Sequence, residues 1–438
     1  MSKKMILGME FGNGYGTTHA AWREAATDPE AYTDFDALIR YAKAAERGKI
    51  HFLFIPDGPF HEVDIENRPP AFSLDAVLTT GALARETKHI GFIGTASTTH
   101  NAPYNLARQF KTLDVMSRGR VGWNAVTSAG SDVAANYGVR VTPSAERYSR
   151  AHEAIHIAQA LWGSWGEDAW VHDQQSGRYT APGKVAPINL GGQHVASRGP
   201  LYIPPSEQGQ PVIFQSGASR NIFELAGKFA TGVIGIAGTI EDARMQRNFL
   251  RSAAVEAGRE ADEAKFFAGF SPTIAATKRE ALERRARLMG DELSNYVPYL
   301  GSILGIRLGK QDLNRVLGSS DIQNQPTDAR SRRVHELVHE GWSVQDIIAH
   351  GVLDGHPAVV GTAIEVADHL QEWFEAEAVD GFWLIIDVYQ DGIDTFVDEV
   401  VPILQERGIF HEDYEGETLR ENLGIPHQYG VDPRIVSE

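Results

Sequence analysis

Apolar residues along the chain fall into short, nearly continuous runs, separated by stretches with helical spacing. The runs at 5–9 (MILGM), 51–56 (HFLFIP), 89–96 (HIGFIGTA), 120–127 (RVGWNAVT), 211–217 (PVIFQSG), 232–238 (GVIGIAG), 265–271 (KFFAGFS) and 381–387 (GFWLIID) predict eight strands. They hardly alternate, so both faces of each strand are expected to be covered, as in a parallel sheet flanked by helices. Between them, Phe35, Leu38, Ile39, Ala42 and Ala45 predict a helix over 34–47. Val366, Leu370, Trp373 and Phe374 predict one over 365–378, and Val397, Val400, Ile403 and Leu404 one over 394–407 with Gly408 as its C-cap. Eight βα repeats point to an α/β protein built as a TIM (β/α)8 barrel, with a doubly wound open sheet as the alternative.

Two segments are too long for ordinary connections: 166–210, polar and rich in Gly and Pro, and 281–361, which mixes helical patterns with the polar stretch GSSDIQNQPTDARSRR. A single domain over 1–438 carrying these two insertions is the expected organisation. Long βα insertions of a barrel lie at its C-terminal mouth, where they form lids and pockets. The 281–361 segment is therefore the expected cover of an active site.

The 438 residues carry a formal net charge of −17, which disfavours nucleic acid or anionic membrane as a partner. With no cysteine, disulfides, thiolate metal sites and cysteine nucleophiles are excluded. The segment MSKKMILGMEFGNG is too short in apolar residues for a signal-peptide core, and no run reaches about 18 apolar residues. A soluble cytoplasmic protein is the expectation.

Four motifs carry candidate chemistry. HELVH at 335–339 puts His335 and His339 one helical turn apart with Glu336 between them, as in zinc hydrolases. The extended metalloprotease pattern fails, because Trp342 and Gln345 stand where a glycine and a third histidine are needed, and no metal site is expected. MEFGNGYGTT holds Gly12, Gly14 and Gly16 after the first strand, but Thr17 replaces the last glycine of a dinucleotide fingerprint, which leaves a mobile βα loop as the better reading. In PVIFQSGASRNIF a strand runs through Ser216, Gly217 and Ser219 into a helix, either a phosphate cradle or plain capping by Ser219. Asp57 in FIPDG and Thr95 in GTASTTH stand at strand ends where a barrel places its catalytic side chains. Trp22, Trp123, Phe54, Phe60 and Trp342 are candidates for an aromatic pocket lining, with core positions as the alternative.

Longer blocks span almost the whole chain: HAAWR (19–23), TASTTHNAPYNLARQFKTLDVMSRGRVGWNAVTS (95–128), ERY (146–148), RGPLYIPPSEQGQPVIFQSGAS (198–219), VVGTAIEVADHLQEWF (359–374) and YEGETLRENLG (414–424). Together they resemble the bacterial luciferase-like flavin monooxygenases, in the branch of nitrilotriacetate/EDTA, dibenzothiophene-sulfone and long-chain alkane monooxygenases. The resemblance implies a two-component enzyme on a TIM barrel. It would use reduced FMN (FMNH2) from a separate NAD(P)H:FMN reductase, with O2 as co-substrate, and oxygenate a small sulfur- or nitrogen-containing substrate through a peroxyflavin. It also implies a homodimer or homotetramer. By resemblance, Asp57 and Thr95 lie near the flavin ring and ribityl chain, and Asn124 in GWN at a strand end. Tyr148 reaches the phosphate, and Ser216, Gly217 and Ser219 form the phosphate turn.

One departure bears on mechanism. Relatives often read TPHDERY where this chain reads TPSAERY, so Ser144 takes the place of a histidine and Ala145 that of an aspartate. A serine cannot titrate near neutral pH. His19, His100 and Ser144 are the catalytic candidates, and a flavin-binding protein without catalysis is an alternative beside the zinc hydrolase.

Overall fold

The computed structural model describes residues 3–60 and 64–436. Eight strands close into a parallel barrel: β1 (Ile6–Glu10), β2 (Phe52–Ile55), β3 (Gly91–Ser97), β4 (Val121–Val126), β5 (Val212–Ser216), β6 (Gly232–Gly235), β7 (Lys265–Ile274) and, after the short β8 (Ala358–Gly361), β9 (Gly381–Leu384). Neighbours pair in chain order from β1 to β7, and β9 closes the circuit by pairing with both β7 and β1. The register at β9 is decisive, since Gly381 lies opposite Ile6 on one side and Phe267 on the other. That closure rules out the open sheet. All eight expected strands are barrel strands.

The barrel interior is filled from its N-terminal end. Phe52, Phe214 and Phe267, all fully buried, meet with centroids 5.2, 5.5 and 5.6 Å apart. Leu419, Leu423 and Ile425 from the C-terminal segment join the same cluster and plug that end. Open volume is thus confined to the other mouth.

The expected helix over 34–47 is observed as α1 (Phe35–Arg47), with Asp34 as its N-cap. In chain order the helices used below are α2 (Ser144–Trp162), α3 (Arg220–Phe229), α4 (Lys278–Met289), α5 (Leu293–Leu304), α6 (Ala329–His339), α7 (Ala363–Glu375), α8 (Tyr389–Thr395) and α9 (Val401–Glu406). The expected 365–378 helix is α7, begun earlier by a Thr362–Glu365 capping box. The 394–407 helix starts earlier, at Tyr389, and is interrupted by a π turn over Phe396–Val400. Pro402 lacks the N–H that would continue the regular ladder there.

The two insertions differ in place. Segment 166–210 follows α2 and leads into β5, so it is an αβ connection on the barrel's flank rather than at its mouth. Glu153 of α2 anchors it by accepting from the amides of Gln193, His194 and Val195 at 2.8, 2.8 and 3.0 Å. Segment 281–361 follows β7 and has a core of its own, in which Val297, Leu300, Leu304, Val334, Leu337 and Ile347 are all fully buried. It returns through β8, which pairs with the outer half of β7, Ser271–Ile274. No helix among the described residues is long and apolar enough to cross a membrane.

Candidate active site

Seven strand ends converge on a chamber of about 380 Å³ at the C-terminal mouth, β6 with Ile234 among them. β1 contributes Glu10, β2 leads to Asp57, and β3, β4, β5 and β9 bring Thr95, Asn124, Ser216 and Trp383. Thr95 and Asn124 are directly opposed in the β3–β4 register. Asn124 faces Phe214 across β4–β5, so Ser216 projects from the same face two residues further out. Their side chains form one chain of hydrogen bonds: Asn124 Nδ2 donates to Thr95 Oγ1 at 3.0 Å, and Ser216 Oγ donates to Asn124 Oδ1 at 3.0 Å.

After Ser216 the backbone turns at Gly217, whose φ of 128° is closed to ordinary side chains. A Cβ there would meet Ile222 Cδ1 at 2.4 Å. The turn places Ser219 at the N-cap of α3, yet its hydroxyl makes no capping bond. It lies 3.3 Å from the Tyr148 hydroxyl, delivered by α2. Two hydroxyls therefore meet at the positive end of a helix, an arrangement suited to a phosphate.

The opposite walls are apolar: Phe54, Phe72, Ile234 and Trp383. A second, more polar chamber of about 230 Å³ shares Asp57 and Thr95 and adds Asp75, Asn101, Ser128 and Tyr137. Burial, reinforced by the Asp75 charge, pushes the Asp57 carboxyl above its ordinary value.

The Luciferase-like monooxygenase family model matches residues 9–380. The chain belongs to this family. As a luciferase-like monooxygenase it is a flavin-dependent enzyme that uses dioxygen. It is 35% identical over 434 residues to the N-acetyl-S-(2-succino)cysteine monooxygenase of Bacillus subtilis (strain 168), covering 97% of each chain. It is 33% identical over 445 residues to nitrilotriacetate monooxygenase component A of Aminobacter aminovorans, again covering 97% of each. The solved structure of the EDTA monooxygenase from Chelativorans sp. BNC1 superposes with a TM-score of 0.78 at 30% identity, over 97% of this chain and 99% of that one.

Of the cofactor-binding residues expected for such a monooxygenase, Asp57, Thr95, Asn124, Ser216 and Gly217 line the main chamber, and Ser219 and Tyr148 adjoin it through the glycine turn. The expected catalytic candidates are not brought together. His19 lies 3.4 Å from Glu292 of the insertion, in a separate cavity of about 140 Å³. His100 stacks on Tyr137 at 4.3 Å, and burial followed by the nearby Arg150 charge lowers its pKa. Ser144 begins α2 on the exposed surface. Of the aromatic candidates, Phe54 lines the chamber, while Trp123 is a fully buried core residue donating to the Ala96 carbonyl at 3.0 Å.

Sequence reasoning missed Glu10, His356 and Trp383. The placement of catalytic groups at C-terminal strand ends would have flagged Glu10, which directly follows the 5–9 run. His356 had no local signal, because it arrives from the far end of the insertion. Ser271 N donates to the Pro357 carbonyl at 2.9 Å, which holds the segment on β7. The imidazole lies over Gly269, where a Cβ would meet Nδ1 at 2.2 Å.

The GNGYG loop is fixed by Asn13, whose Oδ1 accepts from Tyr15 N at 2.8 Å and Gly16 N at 3.2 Å and whose Nδ2 donates to the Pro70 and Ala71 carbonyls. Fixation replaces the mobility expected of it. The HELVH residues lie on α6 in the insertion. Glu336 pairs with Arg333 at 2.9 Å, and His339 Nδ1 is 3.0 Å from Ser319 Oγ. Among the described residues, no group of three or more His, Asp or Glu is placed to hold a metal ion. A His335→Ala/His339→Ala double variant is expected to keep oxygenase turnover within about twofold, with no change in bound metal by elemental analysis, as for surface substitutions generally.

Proposed function

We propose that this monooxygenase is the oxygenase component of a two-component system, taking FMN in its reduced state from a separate NAD(P)H:flavin reductase and oxygenating a small organic substrate held in the mouth chamber. One arrangement carries the reading. The Thr95–Asn124–Ser216 chain runs along the strand ends into the Gly217 turn and the Ser219–Tyr148 pair. That layout suits FMN: an apolar chamber for the ring, a polar rail for the ribityl hydroxyls, and a helix N-terminus with two hydroxyls for the phosphate. Reduced FMN bound there supplies the electrons that activate dioxygen.

The residues themselves bind, orient and exclude water. Ser219 and Tyr148 hold the phosphate, Thr95, Asn124 and Ser216 fix the chain's depth, and Phe54, Phe72 and Trp383 keep solvent from the ring. The name of the nitrilotriacetate relative, component A, supports a separate reductase, and the substrates in the relatives' names support a sulfur- or nitrogen-containing compound. The chain works as one catalytic unit over 1–438, with insertions at 166–210 and 281–361.

The later insertion acts as the cover. Arg68 pairs with Glu292 at 2.7 Å, and Arg284 of α4 bridges Asp387 at 3.0 Å and Asp391 at 2.6 Å, tying the segment to loops beside the chamber. Hydrogen exchange across 281–361 is expected to slow when flavin and substrate are both bound. Unchanged exchange would remove the lid role.

The phosphate assignment is tested by Ser219→Ala/Tyr148→Phe. Fluorescence titration is expected to show FMN affinity falling about tenfold, the scale of one or two lost hydrogen bonds to a charged group, with riboflavin affinity unchanged. Equal losses for both flavins would place the phosphate elsewhere. Coupled turnover with a flavin reductase across sulfones, thioethers and amines, followed by mass spectrometry, tests the activity itself. FMN binding without oxygenation of any panel member would favour a non-catalytic flavin carrier.

A further inference from the structure

The substrate-facing wall of the chamber holds three polar groups without partners. Glu10 ends β1 with its carboxyl in the chamber, and among the described residues neither a cation nor a hydrogen-bond donor reaches it. His356 Nδ1 and Trp383 Nε1 are buried on the same wall, and neither has a hydrogen-bond partner among the described residues. The two rings meet edge to face, with centroids 5.6 Å apart at 84°. No lysine or arginine lies among the described residues lining this chamber. Buried polar groups are ordinarily paired, and two unpaired ones beside a half-buried, unpartnered carboxyl around an open volume point to a ligand that completes them.

An anionic Glu10 does not fit this setting. Its surroundings are the phenyl ring of Phe54, Trp383, Ile234 and the inner barrel. The other titratable groups near it are Asp57 after β2, His356 before β8 and Tyr389 at the start of α8. Asp57 is itself acidic. Burial pushes His356 below its ordinary value, so it is neutral at pH 7. Tyr389 is held in its neutral form, first by burial and then by the Glu10 charge, and its hydroxyl accepts from Gly12 N at 3.1 Å. None of these offsets a carboxylate. A ring that fills the chamber displaces the remaining water and raises the cost of charge on Glu10 further.

We propose that Glu10 is held as the neutral carboxylic acid when the flavin ring occupies the chamber, donating a hydrogen bond to a ring acceptor, so that flavin binding takes up one proton. Glu10 is then a binding group that favours an uncharged acceptor beside it and disfavours a carboxylate. This inference rests on the assignment of the chamber to FMN.

Burial already raises the free carboxyl to about 7, so Glu10 is largely ionised at pH 8 in the empty protein and protonated once covered. Calorimetric titration of the full chain with oxidised FMN at pH 8, in buffers of different ionisation enthalpy, is expected to show close to one proton taken up per flavin bound. Affinity is expected to fall about fiftyfold or more between pH 6 and pH 9, the change produced by a ligand-linked rise of about two pKa units or more. Riboflavin, which lacks the titrating phosphate, is expected to behave alike. Glu10→Gln is expected to bind both flavins with no such uptake and a flat profile. Flavin binding without proton uptake by the native chain, or identical uptake by Glu10→Gln, overturns the inference while leaving the FMN site intact. Failure of either flavin to bind at any pH overturns both. If Glu10→Gln does not fold, Asp57→Asn decides, since uptake from Glu10 persists when the other carboxyl of the chamber is neutral, and loss of uptake overturns the inference.

Discussion

Replacing Asn124 with leucine is expected to lower FMN affinity about ten- to a hundredfold and to destabilise the fold by about 1–3 kcal/mol. Asn124 is 2% exposed and joins Thr95 to Ser216 through both ends of its amide. Leucine has similar bulk but neither accepts nor donates, so the Ser216 and Thr95 hydroxyls both lose their partner at once. The stability loss follows from leaving buried polar groups unpaired, and the affinity loss from freeing the side chains proposed to set the flavin's depth. Thermal melts and flavin fluorescence titrations measure the two effects separately. Thr95→Val, which removes only one terminal hydroxyl, is expected to show a smaller loss of both. Native-like FMN affinity in Asn124→Leu would show that the rail plays no part in binding.

Asp380→Ala is expected to cost about 3–5 kcal/mol of stability, the range for breaking a buried ion pair by removing one partner. Asp380 precedes β9, is fully buried, and accepts from Phe266 N at 3.0 Å. Arg247 reaches it through two nitrogens, each at 3.1 Å, Arg251 at 3.1 Å and Lys3 at 2.5 Å. The carboxylate thereby locks the strand that closes the barrel to the helix carrying Arg247 and Arg251. Burial alone would raise its pKa, but hydrogen bonds from Arg247 and the charges of Lys3, Arg247 and Arg251 outweigh burial and hold it well below the carboxylate range. Its folded value is depressed, so its contribution is fully present above about pH 4 and is lost as pH falls below that. Urea denaturation between pH 7 and pH 3 checks both claims. The native chain is expected to lose stability on acidification, and Asp380→Asn is expected to lose less. Because the cluster lies at the barrel end away from the chamber, FMN affinity per folded molecule is expected to be unchanged.

Glu10, half-buried at the chamber wall, and the fully buried Asp380 show opposite outcomes of desolvation. Asp380 is surrounded by donors and remains ionised, whereas Glu10 meets none and is raised to about 7. The fold therefore loses stability as pH rises from about 4.5 to about 7, where the unfolded carboxyl ionises and the folded one does not, by at most about 3 kcal/mol in all.

The barrel strands were legible because burial on both faces writes an unbroken apolar run, and each of the eight runs became a barrel strand. β8 was not legible. Its four residues, Ala358–Gly361, lie inside a polar insertion and pair only with the outer extension of β7. The 166–210 segment was grouped with 281–361 because both exceed an ordinary connection, yet it follows a helix rather than a strand and so falls on the flank. HELVH looked louder than any other motif because adjacency in sequence is easily seen. Its Glu336 is engaged by Arg333 one turn away, a solvated helix face.

Asp57 and Thr95 could be named in advance from their place at strand ends, Ser216 and Gly217 from the turn that opens a helix, and Asn124 only from the family resemblance. The sequence by itself determined the strand runs, the glycine turn after β5 and the lack of cysteine chemistry, all local properties of composition and order. Only the tertiary structure decided that the Ser219 hydroxyl leaves its helix uncapped and lies instead against the Tyr148 hydroxyl, 71 residues away. The structure alone also brought His356 against β7 beside Trp383 and left Glu10 without a donor. Pairing and desolvation are set by neighbours distant in the chain, and no local pattern encodes them.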